Sequence, residues 1–315
     1  MTARHRGIVI PQGIWRVGKD MRKSINPAIA LWFGAFCTSF AATFIIASGE
    51  PPFVVAFYRL LFAVAFLLPV IAIQGWDQLS RISRNHLIWC LLVGVFFGLH
   101  FITYTTSLAY TSVASAGALL SLQPVFVAIG ASIFLRERIG LRVKVGIACA
   151  VIGGMIVGSG DLLAVTKTAL LGDLLALTSA LMISLYFVTG RVLRQHLDIV
   201  PYLVVVYTSS MIVVAIISIA CRVPLTLSSS KGLIHLLALG LISTAVGHGI
   251  YNWALKYVNA STVSLVMLAS PVAETVWVYF FLGQIPAITS ILGGIIVIIG
   301  TALAMTGEKE EERDP

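Results

Sequence analysis

Ionisable and strongly polar side chains are scarce in the apolar parts of this sequence, so each one there is a candidate for chemistry. Glu274 is the one carboxylate deep within an apolar run. It lies one helical turn beyond Pro271 and would share a face with Ser264, Met267 and Pro271. Arg59 is the one cation well inside such a run. His100 and Tyr104 stand four residues apart, as do His248 and Asn252, and such pairs face the same way on a helix. Two polar–proline pairs, Gln123-Pro124 and Ser270-Pro271, complete the set. Proline removes a backbone donor and clashes with the preceding turn, so each of these pairs marks a kink and a freed carbonyl.

These groups suit binding, gating or proton relay better than bond-making. An imidazole titrates near neutral pH and could pass a proton; a hydrogen bond to a neighbouring helix uses it equally well. Neither histidine helix carries a second ligand at metal-binding spacing, so no metal site is expected. No nucleophile elbow, phosphate loop, zinc motif or carboxylate pair is present, and no catalytic residue is assigned. No cofactor is implied. Trp32, Trp253, Trp277 and Tyr186 read as core filling or as cavity walls. Hydroxyls on the first and sixth apolar runs (Thr38, Ser39, Thr43, Thr178, Ser179, Ser184) read as interhelical glue or pocket donors. Gly94-x-x-x-Gly98 and Gly154-x-x-x-Gly158 allow close helix packing.

What positions these residues is a membrane scaffold. Hydrophobic residues make up 58% of the chain and charged ones 11%, which excludes an ordinary soluble domain. Ten apolar runs are long enough to cross a bilayer as helices: 27–48, 53–73, 87–108, 112–135, 141–159, 169–190, 200–221, 232–254, 261–283 and 288–306. Residues 1–25 form a basic tail, and Met21-Arg-Lys-Ser resembles a natural start, making 1–20 an upstream extension. Residues 307–315 form an acidic tail. The four cysteines show neither metal nor disulfide spacing and read as small core residues.

The chain repeats itself. A shift of 147 positions (271 − 124) lays Pro124 on Pro271, Tyr104 on Tyr251, and Phe134-Leu135 on Phe281-Leu282. The same shift lays Gly146 on Gly293 and Gly153 on Gly300 without a gap. The copies span 26–160 and 168–306. Five helices each is an odd number, so the second copy enters the bilayer from the opposite side. The charges agree. Arg136, Arg138, Arg142 and Lys144 of the first copy are replaced in register by Gly283, Ile285, Thr289 and Ile291. With both termini cytoplasmic, Lys and Arg concentrate inside. That explains the net charge of +8 without nucleic acid. Paired helix interruptions in two halves point to a transporter's midplane site. At 1.5 Å per residue, Arg59 and Glu274 lie roughly 10 and 13 Å from the same surface, which makes Arg59 the candidate ion-pair partner of Glu274. Val127 holds the Glu274 position in the first copy.

The pattern resembles the EamA-type branch of the drug/metabolite transporter superfamily. Ser115–Pro124, Phe134-Leu-Arg-Glu-Arg138 and Gly146…Gly153-Gly154 carry the resemblance in the first copy. In the second it rests on Gly172-Asp-Leu-Leu-Ala-Leu, Ser261–Pro271, Phe281-Leu-Gly283 and Gly293-Gly294…Gly300. Arg59 matches an arginine such proteins often carry in the second helix. The second copy departs in having Gly283-Gln284 where a charged turn is common. The resemblance implies an all-α membrane protein of ten transmembrane helices, built as a 5+5 inverted repeat in the plasma membrane. It also implies export of small metabolites or amino-acid-like solutes by alternating access around a central cavity. The expected partners are a small-molecule solute and the lipid bilayer. Proton coupling and a homodimer stay open, as do two other classes, a membrane-embedded enzyme and a scaffold or channel.

Overall fold

In the computed structural model, residues 26–111, 113–135, 139–159, 167–283 and 288–311 are described. Among them the only regular structure is helical. The segments follow as α1 (Pro27–Ser48), α2 (Pro52–Gln74), α3 (Arg84–Ser107), α4 (Ser115–Leu135), α5 (Leu141–Gly158), α6 (Lys167–Arg194), α7 (Ile199–Ala220), α8 (Ser230–Ala254), α9 (Ala260–Phe281) and α10 (Ile288–Glu311). Eight of these, all but α5 and α10, are long and apolar enough to cross a membrane by length and composition.

Local sequence sets the ends. Asn26 accepts the N–H of Ala28 at 2.9 Å and Pro27 opens α1. Ser83 caps α3 and Ser229 caps α8 in the same way. Gly49 and Gly283 close α1 and α9 at φ of 64° and 69°, where a side chain would be strained. Large apolar side chains such as Phe33, Ile73, Ile219 and Phe280 point outward. Water would penalise that surface and acyl chains do not.

The repeat is written into the packing. The α5–α10 seam is built on glycines: a Cβ on Gly146 would stand 2.5 Å from the carbonyl of Gly300, and one on Gly153 2.6 Å from that of Gly293. The order of contacts makes the two helices antiparallel. Under the 147-residue shift Gly146 becomes Gly293, and the reverse shift turns Gly300 into Gly153, so the two contacts exchange. The α3–α7 and α2–α8 contacts form a second related pair. Gly94 packs on Ser209 of α7, and Gly240 packs on Phe62 and the Arg59 carbonyl of α2. The Gly94–Gly98 spacing is therefore packing, since Gly98 abuts the Ser210 backbone.

Several helices are interrupted, two of them at the prolines as expected and others where no proline announces it. α4 is interrupted at Ser121–Leu122 and α9 at Leu268, each just before its proline. The proline nitrogen cannot donate, so the ladder breaks one turn earlier. α1, which has no internal proline, breaks at Ser39–Phe40 into Pro27–Thr38 and Ala41–Ser48. The middle of α8, Leu239–His248, winds as a wide π-helix, and so does Ala131–Leu135 of α4. Only Cys37 and Cys90 are core residues; Cys221 is exposed at the end of α7, where the helix leaves the apolar interior. The basic tail through residue 25, the start at Met21, residues 312–315 of the acidic tail, and the turns at 136–138 and 284–287 lie outside the described residues, while residues 307–311 of the acidic tail continue α10.

Candidate functional site

Arg59 is the least expected side chain in the interior. It is 2% exposed on α2, yet it forms no salt bridge among the described residues. Its Nε donates to Thr244 Oγ1 at 3.1 Å, and its guanidinium carbon lies 3.7 Å from the centroid of the Phe101 ring. The π-helical stretch of α8 presents Thr244, whose hydroxyl turns back to the Leu239 carbonyl. Tyr207 of α7 donates to the Thr244 carbonyl at 3.2 Å. A desolvated cation over an aromatic face gains about 2 kcal/mol or somewhat more, short of the several kcal/mol that burying the ion costs. The charge is held, not neutralised.

The ion pair expected between Arg59 and Glu274 does not form. The Glu274 carboxylate, 9% exposed, instead accepts the backbone N–H of Ala42 at 3.2 Å. The break in α1 frees that N–H, and the start of the Ala41–Ser48 helix attracts negative charge. Nothing local in the sequence announces this partner. Arg59 and Glu274 remain near enough to act on each other electrostatically, and Tyr104 interacts with both.

The other predicted residues fall around this pair. His100 bonds Ser179 of α6 through Nδ1, 2.8 Å from the serine Oγ, and its ring stacks with Tyr104 at 6.1 Å. His248 meets Phe97 edge-on at 5.1 Å and Phe101 at 5.6 Å, and its buried Nδ1 has no partner. Asn252 donates to Tyr186 OH at 2.5 Å and to the His248 carbonyl at 2.6 Å, leaving Oδ1 unmatched. Phe97 joins these groups: it stacks on Tyr186 at 4.2 Å and lies 5.5 Å from Tyr207. An aromatic cluster contributed by five helices, α2, α3, α6, α7 and α8, thus gathers Arg59, His100, His248 and Asn252.

The proline pairs border it. The Gln123 carbonyl accepts the Ser184 hydroxyl at 3.2 Å, its amide nitrogen reaches Met267 Sδ at 3.7 Å, and its Oε1 is buried without a partner. Pro124 is buried beside it and Pro271 is half-buried. Ser270 joins a hydroxyl triad with Thr38 at 2.6 Å and Tyr251 at 3.2 Å, tying α9 to α1 and α8. At the break in α9, the Leu265 carbonyl accepts Thr301 Oγ1 of α10 at 3.2 Å. Unmatched acceptors on Gln123 and Asn252 and an unpaired guanidinium can be satisfied by a polar solute. No step of bond-making chemistry is suggested.

Sequence reasoning missed Phe97, Phe101, Tyr207 and Thr244. One signal was available: Phe97 and Phe101 fall one turn apart and flank His100 on α3. It also left Arg194 in a loop. That side chain is 2% exposed at the end of α6, donating to the carbonyls of Asn252 and Leu197. Trp32, expected inside, is exposed on α1, whereas Trp277 donates to Ser39 at 2.8 Å and stacks on Phe40 at 4.6 Å.

The two halves of this arrangement each match the model of the EamA-like transporter family, over residues 25–159 and 170–306. The chain belongs to the EamA-like transporter family. Its relatives include an uncharacterized transporter, YoaV, of Bacillus subtilis (strain 168). That protein is 23% identical over 252 residues, 79% of this chain and 86% of the relative. A second from the same organism, the uncharacterized transporter YyaM, is 26% identical, with 79% and 83% covered. An uncharacterized transporter of Archaeoglobus fulgidus is 27% identical, with 78% and 86% covered. A solved crystal structure shares the fold at a TM-score of 0.76, over 91% of this chain and 98% of its own, with 17% identity. This EamA-family chain is a multi-pass membrane protein of transporter type.

Proposed function

We propose that this protein is a secondary carrier that exports small organic, amino-acid-like solutes by alternating access. The observation that carries the reading is the Arg59 guanidinium, buried without a salt bridge among the described residues in an aromatic cluster shared by α2, α3, α6, α7 and α8. An intramembrane charge is costly, at least ~2.5 kcal/mol on insertion scales, and persists where it serves transport or has a partner. Solute binding would supply that partner. Arg59, His100, Tyr104, Gln123, Pro124, His248, Asn252, Ser270, Pro271 and Glu274 are the residues assigned to binding or gating. The units that rock are residues 26–160 and 168–306, ten spans as a 5+5 inverted repeat with both termini cytoplasmic. The exchanging glycine contacts of α5 and α10 support the inversion. Proton coupling would act through Glu274 or the histidines.

The test is a metabolite efflux screen in cells with and without the protein, covering amino acids, purines and sugars. A carrier gives saturable efflux with counterflow. Linear, high-conductance flux would make it a channel. No difference across all three solute classes, with the protein in the membrane, would defeat the assignment.

A further inference from the structure

The two copies are bridged by one contact made twice. Helix ends ahead of Tyr104 align at a shift of 146. α1 ends at Ser48 and α6 at Arg194 (194 − 48), and α3 starts at Arg84 and α8 at Ser230 (230 − 84). The capping serines Ser83 and Ser229 obey the same shift, and each accepts the N–H three residues on, from His86 and from Gly232. In this register Glu50 lies on His196, and His86 lies on Gly232.

Both pairs touch. The Glu50 carboxylate, buried just after α1, accepts the Ser228 N–H at 3.0 Å with either oxygen and the Ser229 N–H at 3.2 Å. Gly232 makes room for it: a Cβ there would stand 2.4 Å from Glu50 Oε1. His196, just after α6, stacks on His86 near the start of α3, ring centroids 5.4 Å apart and nearly parallel. Each contact joins a residue of 26–160 to one of 168–306. Glu50 precedes α2 and His86 follows it, so the two bridges stand at opposite ends of that span.

The bridges differ in strength. A carboxylate on backbone N–H groups at the start of a helix is charge-assisted and favoured by the helix dipole. Stacked rings attract more weakly, and this pair borders a groove of about 420 Å³ between α3, α4 and α6. Two halves that rock cannot part at one face while the bridge on that face holds.

We infer that Glu50 latches one face of the bundle shut and that the His86–His196 stack is its counterpart at the other, so that the bridge that breaks decides which face opens. The inference rests on the carrier reading. It gives a positioning role to three residues outside the binding set, which act through the turns they clamp. With both termini cytoplasmic, Glu50 holds the outer face, and its stronger bridge makes the outside-closed conformer the resting one.

Thr43 and Thr189 correspond at the same shift (189 − 43) and report on the two faces. Thr43 is buried in the Ala41–Ser48 segment, and Thr189 lines the groove beside the imidazoles. Each is replaced by cysteine in a background whose four native cysteines are alanine, and labelled with a membrane-impermeant maleimide from its own side of sealed vesicles. Glu50→Ala should raise the labelling rate at Thr43→Cys at least fivefold and lower that at Thr189→Cys at least twofold. Gly232→Ala, which keeps the carboxylate but fills its seat, should act in the same direction. His86→Ala with His196→Ala should move both rates the opposite way. Opposed changes at two faces mark a shift between two conformers, which a merely structural clamp does not produce. Labelling that rises at both faces, or changes at neither, overturns the latch.

Glu50→Cys with Gly232→Cys gives a second measurement, because a Cβ at 232 lies 2.9 Å from Glu50 Cγ, where the cysteine sulfur would sit. Oxidation to the disulfide should cut efflux of the solute found in the screen at least tenfold, with recovery in dithiothreitol. Undiminished efflux from fully cross-linked protein overturns the latch. If no solute moves even with the unaltered protein, the carrier reading fails, and the labelling still decides whether Glu50 holds a face shut.

Discussion

The carboxylate of Glu274 in α9 caps the backbone N–H of Ala42 in α1 at 3.2 Å, across the break that divides α1. Beside it, Trp277 of α9 donates to Ser39 at the same break, and Ser270 holds Thr38 immediately before it. Three polar contacts from one helix therefore fix the point where another is interrupted. An interrupted helix leaves orphan N–H groups that lipid cannot satisfy, so a neighbouring helix must supply acceptors.

Replacing Glu274 separates charge from capping. Glu274→Gln keeps an acceptor for Ala42 but loses the charge, so solute flux should fall at least tenfold while the protein inserts and melts nearly as before. Glu274→Ala strands the N–H as well and should cost about 1–3 kcal/mol more in stability. Flux assays and thermal melts in detergent read the two effects. Wild-type flux by the glutamine variant refutes a transport role.

Arg59→Gln removes the buried charge and should abolish flux. Arg59→Lys keeps a charge but loses the planar group that lies over Phe101 and points Nε at Thr244, so partial flux is expected. Comparing initial rates at saturating solute decides the matter. Equal activity of the two variants would show that charge at this position is irrelevant.

At the α5–α10 seam, Gly146→Val and Gly300→Val should each prevent close approach, because the new Cβ meets backbone at 2.5 and 2.7 Å. Overpacking of this kind typically costs about 1–3 kcal/mol. Gly117→Ala, with nothing within 4 Å of the added carbon, should be neutral or stabilising by about 0.5–1 kcal/mol. Detergent melting temperatures of the three variants check the ranking.

Arg194→Ala should lower stability and leave flux per folded molecule unchanged. The guanidinium serves carbonyls at the end of α8 and after α6, and removing it leaves them buried without donors, at about 1–3 kcal/mol. A selective loss of flux at normal melting temperature would instead place Arg194 in the transport path.

Much of this protein was legible in one dimension. Apolar run length marks a bilayer segment whatever its neighbours, and proline breaks a helix by its own covalent structure, so the scaffold, the repeat and the interruptions at Ser121–Leu122 and Leu268 followed from the sequence. The glycines at 146, 153, 293 and 300 were visible as a repeat, though not as a seam. Partner choice was decided only by the tertiary structure. Arg59 and Glu274 have matching depth and opposite charge, yet the fold gives the first to Phe101 and Thr244 and the second to Ala42. The break in α1 has no proline to announce it, and the π-helical middle of α8 has no residue signature. Within lipid, a polar group takes whichever donor or acceptor the facing helix presents. Which helix faces which depends on packing across the whole bundle, and helical periodicity carries no record of it.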